Sequence, residues 1–104
     1  MPRAMRDFSP IYTTEQVVLS FDFSLALATG ETLSSPVVSI VVVSGIDTTP
    51  VSRLIGSPSI SGSVVMQMIG TTQAGAIYDV IATVGTNAGQ TLTTNAHLAS
   101  LNVG

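Results

Sequence analysis

The chain is expected to fold as an all-β, two-layer antiparallel sandwich of about seven strands, and three observations lead there. Apolar residues alternate with period two again and again. Gly, Pro, Ser and Thr interrupt every window long enough to form an apolar helical face. Turn residues punctuate the strand-length segments at intervals of roughly 8 to 12 residues. The 104 residues suit one domain, which can bury roughly two-thirds of the surface its unfolded form exposes.

The first strand spans residues 15–23, where Val17, Leu19, Phe21 and Phe23 share one face and Val18, Ser20 and Asp22 the other. A turn at Thr29-Gly30-Glu31 leads to Pro36 and the run 37–43, apolar on both faces and therefore expected as a central strand. Gly45, Asp47, Thr48, Thr49 and Pro50 form a loop, followed by a short strand over 51–55 and a break at Gly56-Ser57-Pro58. The next strand, 63–69, puts Val64, Met66 and Met68 on one side and Val65, Gln67 and Ile69 on the other, with the methionines expected as core filler. Strand 76–84, a turn over 86–89 and a last strand with Leu92, Thr94, Ala96 and Leu98 inward complete the set. Leu101 and Val103 have the opposite parity, so a bulge near Ala99-Ser100 is expected to return them to the core. Phe21, Phe23, Ile40, Tyr78, Val80 and Leu92 should share that core. Gly45, Gly56, Gly62, Gly70, Gly75, Gly85 and Gly89 are expected as turn residues supplying positive φ, since none stands between a strand and a helix where amides converge on a phosphate.

Tyr78 lies three residues after Gly75, at the start of the penultimate strand. In immunoglobulin-like sandwiches a tyrosine there sits at the corner between sheets, with its hydroxyl bonded to nearby backbone. Tyr78 is therefore expected as a structural corner, and the sandwich as immunoglobulin-like.

Composition narrows function. Charged residues are only 9% against 45% hydrophobic, far below the roughly 25% charged of ordinary soluble domains, so the surface must be Ser, Thr, Gly and exposed aliphatics. The net charge of −3, with arginines only at positions 3, 6 and 53, offers no footprint for nucleic acid. Without cysteine there is neither a disulfide framework nor a thiolate metal site. The apolar region 37–46 is about half the ~20 residues of a membrane-spanning helix. The opening MPRAMRDFSP leads into no apolar run, so no secretory signal and a cytosolic origin are expected.

Catalysis would need a base beside a hydroxyl, and the single histidine, His97, faces outward next to Asp79 on the neighbouring strand. A solvated surface pair is the expected reading, and no Gly-x-Ser-x-Gly elbow accompanies it. Glu31 and Asp47 stand alone in their loops, and Asp22 meets Asp79 only if their strands are neighbours, so neither a metal site nor a cofactor is expected. Residues 1–14 form an extended N-terminal arm ahead of the sandwich at 15–104. With Arg3, Arg6, Phe8 and Tyr12, the arm either frays or docks on a partner. The absence of lysine to guard open sheet edges, together with Val37, Val41 and Val43 on a second apolar face, leads to an expected homo-oligomer or ring, with the arm crossing to a neighbour.

The run FDFSLALATGETLSS resembles the first half of small immunoglobulin-like virion proteins of tailed bacteriophages, the fiber-tail adaptor family. SGSVVMQMIGTTQAGAIYDVIATVGTNAGQTLTTNAHLASLNV is similar to that family's order of strand, Gly-rich turn, Gly-x-x-Tyr-x-Val strand, Gly turn and closing strand. Phe23 stands where the family often has Trp, and Gly70-Thr71 where it often has Gly-Gly, a change expected only to stiffen the turn. The resemblance implies a non-enzymatic tail protein, made in the bacterial cytoplasm and assembled into the virion, connecting tail tip or baseplate to receptor-binding fibres. The alternative is a small carbohydrate-binding accessory domain, which the 5% aromatic content does not favour.

Overall fold

The computed structural model describes the strand Arg6–Asp7 and residues 11–101. The chain is nearly all β. In order, the elements are β1 (Arg6–Asp7), β2 (Ile11–Tyr12), β3 (Gln16–Asp22), a 3-10 turn (Ser24–Ala26), β4 (Leu33–Ser44), a second 3-10 turn (Pro50–Arg53), β5 (Leu54–Ser61), β6 (Val64–Gly70), β7 (Ile77–Thr86) and β8 (Thr91–Leu101). One sheet has the order β1-β8-β7-β4, with β2 also on β8, and the other is β3-β6-β5. The long pairs are antiparallel, while β1 and β2 run parallel to β8.

This is the immunoglobulin-like arrangement. Its B, E and D strands are β3, β6 and β5; its C, F and G strands are β4, β7 and β8. The apolar alternation read from sequence faces the space between the sheets. Phe21, Phe23, Ile40, Tyr78, Val80 and Leu92 all join one buried cluster, whose dispersion and hydrophobic contacts oppose the entropy lost on folding.

Several expectations are corrected. The run 37–43 lies at the edge of its sheet, paired among the described residues only with β7, because β8 takes the other side of β7 through a short turn and the amino-terminal strands occupy the far edge. The segment 51–55 is not a strand throughout: Pro50 starts a 3-10 turn and β5 begins at Leu54. The expected break at Gly56-Ser57-Pro58 is a bulge inside β5, between Ile55 and Ser59. Gly56 takes φ +71° there, and the buried Gln67 amide donates to the carbonyls of Ile55, Gly56 and Met68 at 3.1, 3.2 and 2.9 Å. Those bonds satisfy acceptors that the bulge removes from the ladder.

Because β6 puts Val65, Gln67 and Ile69 inward, Met66 and Met68 lie on the outer face, with Met68 exposed, and are not core filler. No bulge interrupts β8 at Ala99-Ser100: its register with β7 runs unbroken to Ile77↔Ala99. Ser100 is inward and bonded to Thr72, so the alternation leaves Leu101 exposed, and Val103 lies outside the described residues. Gly70 and Gly85 sit within strands without positive φ. Residues 6–7 and 11–12 of the expected arm lie along this chain's own β8, and Ile11 is buried in the core.

Candidate functional site

At one pole of the sandwich the β4–β5 and β6–β7 loops meet around Tyr78. The ring of Tyr78 is wholly buried. Its hydroxyl accepts the Gln73 N–H at 3.0 Å and donates to Asp47 Oδ2 at 2.7 Å. Asp47 Oδ1 accepts the Thr49 N–H at 2.9 Å, an Asx turn that shapes the loop.

Arg53, at the end of the second 3-10 turn, is 7% exposed. Its Nε lies 3.1 Å from Asp47 Oδ2, an ionic contact in which the N–H does not point along a hydrogen bond. Nη1 donates to the Thr71 carbonyl and Nη2 to Thr49 Oγ1. Arg53 thereby holds Thr71, a β-branched residue with φ +50°. A β-branched residue in this left-handed region stores backbone strain in the turn. One layer deeper, the buried Ser100 hydroxyl donates to Thr72 Oγ1 at 2.7 Å.

The electrostatics of this knot are self-contained. Burial alone would raise the Asp47 carboxyl, but donors from Tyr78 and Thr49 and the Arg53 guanidinium hold it below its ordinary range. Burial, reinforced by the neighbouring carboxylate, raises the Tyr78 phenol, so at neutral pH it is a neutral donor. A recess of about 200 Å³ opens beside the knot, lined by Ile46, Asp47, Thr48, Thr49 and Gln73. The Asp47 oxygens in its wall already accept internal donors, which makes the arrangement a latch between loops.

The opposite pole has a looser counterpart. Thr86 Oγ1 donates to Glu31 Oε2 at 2.6 Å, the Ala28 N–H to Glu31 Oε1 at 2.9 Å, and the Thr32 N–H to Asn87 Oδ1 at 3.0 Å. The Thr86 bond, followed by that from Ala28, lowers the Glu31 pKa.

A second candidate is the outer face of the β1-β8-β7-β4 sheet. Val37, Val41 and Val43 of β4 are 60%, 48% and 53% exposed. Ile77 of β7, Leu101 of β8 and Tyr12 of β2 extend this exposed apolar surface, and the β2–β8 register sets Tyr12 beside Leu101.

Tyr78 is in the knot. Tyr12 is exposed at the sheet edge, its N–H donating to Glu15 Oε1 at 2.7 Å. Arg6 lies in β1 opposite Ala96, while Arg3 and Phe8 lie outside the described residues. Asp79 and His97 are directly opposed in register, and Asp79 accepts from Asn95 Nδ2 at 3.0 Å. Asp22 and Asp79 belong to different sheets. Among the described residues no three His, Cys, Asp or Glu side chains group as metal ligands, and no helix is long and apolar enough to cross a membrane. Sequence reasoning missed the Asp47–Arg53 pair. Their spacing within one Thr- and Pro-containing loop was visible, but the phenol that joins them lies 31 residues beyond Asp47.

The fold and knot define an immunoglobulin-like β-sandwich domain with a tyrosine corner. Compared with protein-family models and with curated proteins, the chain gives no match.

Proposed function

We propose that this chain is a structural module that works by protein–protein assembly, without catalysis, in the tail of a bacteriophage, where it connects the tail tip or baseplate to receptor-binding fibres. The assembly part rests on one observation, the exposed aliphatic side chains on the outer face of the β1-β8-β7-β4 sheet. Val37, Val41, Val43, Ile77 and Leu101 there are 36–60% exposed. Such surface costs about 25 cal/mol per Å² while it faces water, and a partner that covers it removes that cost. The tail assignment rests on the resemblance of the FDFSLALATGETLSS and GAIYDV segments to fiber-tail adaptors, and the uncovered apolar surface with no lysine at the sheet edges leads to a homo-oligomer or ring within the virion.

Immunogold labelling with antibody to the chain tests this on particles of the phage or prophage that carries the gene. Label at the distal tail is expected. Label confined to the lysate, with clean particles, overturns the assignment.

A further inference from the structure

We propose that β4 is a self-association edge: it pairs antiparallel with β4 of a second copy about a two-fold axis through Ile40, joining the two β1-β8-β7-β4 sheets into one. This deepens the assembly reading and rests on it.

β4 ends its sheet, and its far side has no hydrogen-bonded strand among the described residues. Irregularities at Ser34/Val37 and Val42/Ser44 bracket an uninterrupted register with β7 over 37–42. Other edges are guarded in ways that β4 is not. β5 carries the Gly56 bulge and Pro58, and β3 carries Asp22 with Glu15 just ahead of it. From Leu33 to Ser44, β4 has no charged residue, and its only proline lies outside 37–42.

Symmetry selects a second copy as the occupant. In antiparallel pairing, opposed residues share a face, so a two-fold through a residue sets odd positions against odd and even against even. Whichever amides point to the open edge therefore meet their own kind. An axis at Ile40 pairs 38–42 within the regular stretch and brings Val37 to Val43 at the Val42/Ser44 irregularity. Val37 then faces Val43 and Ser39 faces Val41 on the outer side, while Val38 faces Val42 on the inner. Val37–Val43 and Val38–Val42 are β-branched pairs, which favour sheets, and each Ser39–Val41 pair has one β-branched member.

A two-fold also sets like charges against each other, which usually disfavours self-pairing, and β4 has none to oppose. The nearest carboxylate, Asp79, is one strand inward beside Val41. Across β7-β4-β4-β7 the two Asp79 strands would stand about 14 Å apart, three strand spacings and beyond the ~8 Å screening length at physiological salt. A single ladder is small beside the interfaces of tight dimers, so the dimer should depend on concentration.

The cysteine-free background makes the geometry testable in the full chain. Sedimentation velocity across a concentration series should show the mass doubling. Mixed under mild oxidation, the Ser39→Cys and Val41→Cys chains should form a disulfide with each other, at a pairing distance within disulfide range, and much less with themselves. Val18→Cys on β3 should form no disulfide-linked dimer. A Ser39→Glu/Val41→Glu chain and a Ser39→Lys/Val41→Lys chain should each lose dimer affinity by about tenfold or more, and mixing them should restore it, which separates lost pairing from lost folding. The proposal is overturned by a chain that is monomeric throughout, by a dimer that cross-links through Val18→Cys, or by a Ser39→Cys chain that cross-links mainly with itself. None of these results changes where antibody labels the virion, and clean particles would leave a β4 dimer standing, so the two readings fail separately.

Discussion

Each pole of the sandwich ties a loop to a strand end through a carboxylate, yet one tie is buried and the other washed by solvent. At the first, Asp47 sits between a phenol, a guanidinium and a backbone amide, and its side chain is 2% exposed. At the second, Glu31 accepts from a hydroxyl and an amide at the rim of the β7–β8 turn. The same chemistry carries different weight, because the worth of a charge depends on how much water it has surrendered.

Arg53→Met should give the largest effect. It leaves Asp47 buried without its cation, and loss of about 3 to 5 kcal/mol is expected in denaturant melts; loss near zero would place Asp47 in water and erase the contrast. Gly45→Ala acts at the same pole. A Cβ there would stand 2.8 Å from Ala76 Cα and the Gly75 carbonyl, at φ +86°, and adding the strain to the overpacking gives about 2 to 4 kcal/mol of destabilisation.

Tyr78→Phe keeps the ring but orphans the Gln73 N–H and removes a donor from Asp47, for about 1 to 3 kcal/mol. Thr71→Gly should instead stabilise by about 1 kcal/mol, since glycine accepts the left-handed backbone; a loss would mean that the Thr71 hydroxyl bond to Gly70 O outweighs the strain. The smallest effect is expected from Glu31→Gln at the exposed pole, and its melt should overlay that of the parent.

Stability against pH sharpens the comparison further. The Asp47 pKa is lowered on folding, so its contribution is whole above its ordinary value of 3.8 and fades as pH falls through the folded value. The Tyr78 pKa is raised, so its contribution is whole below 10.0 and fades at higher pH. Asp47→Asn should flatten the acid limb selectively, and an unchanged acid limb would assign that loss to other carboxylates.

The strand pattern was legible because period-two alternation is local: the inward set of β3, β7 and most of β8 follows from parity alone. The position of Tyr78 was legible for a similar reason, being fixed by its distance from Gly75. What escaped depends on contacts remote in sequence. A run apolar on both faces suits a central strand as well as an edge that keeps valines in water, and only the order of strands decides between them. Likewise Gln67 reads as a polar interruption until the bulge at Gly56 supplies carbonyls for its amide. Arg53 reads as a surface cation until Asp47, Thr49 and Thr71 converge on it.

The parallel pairing of β1 and β2 with β8 has a mechanical consequence. Arg6 lies beside Ala96 and Tyr12 beside Leu101, so tension between the two ends of the described chain pulls neighbouring strands lengthwise in opposite directions. Loaded in that shear geometry, the backbone bonds between them share the force and must yield together, whereas a hairpin pulled open at its ends gives way one rung at a time. The short first strands thus act as a clasp, and Ile11, buried between the sheets, is the pin that must be drawn from the core before the clasp slips.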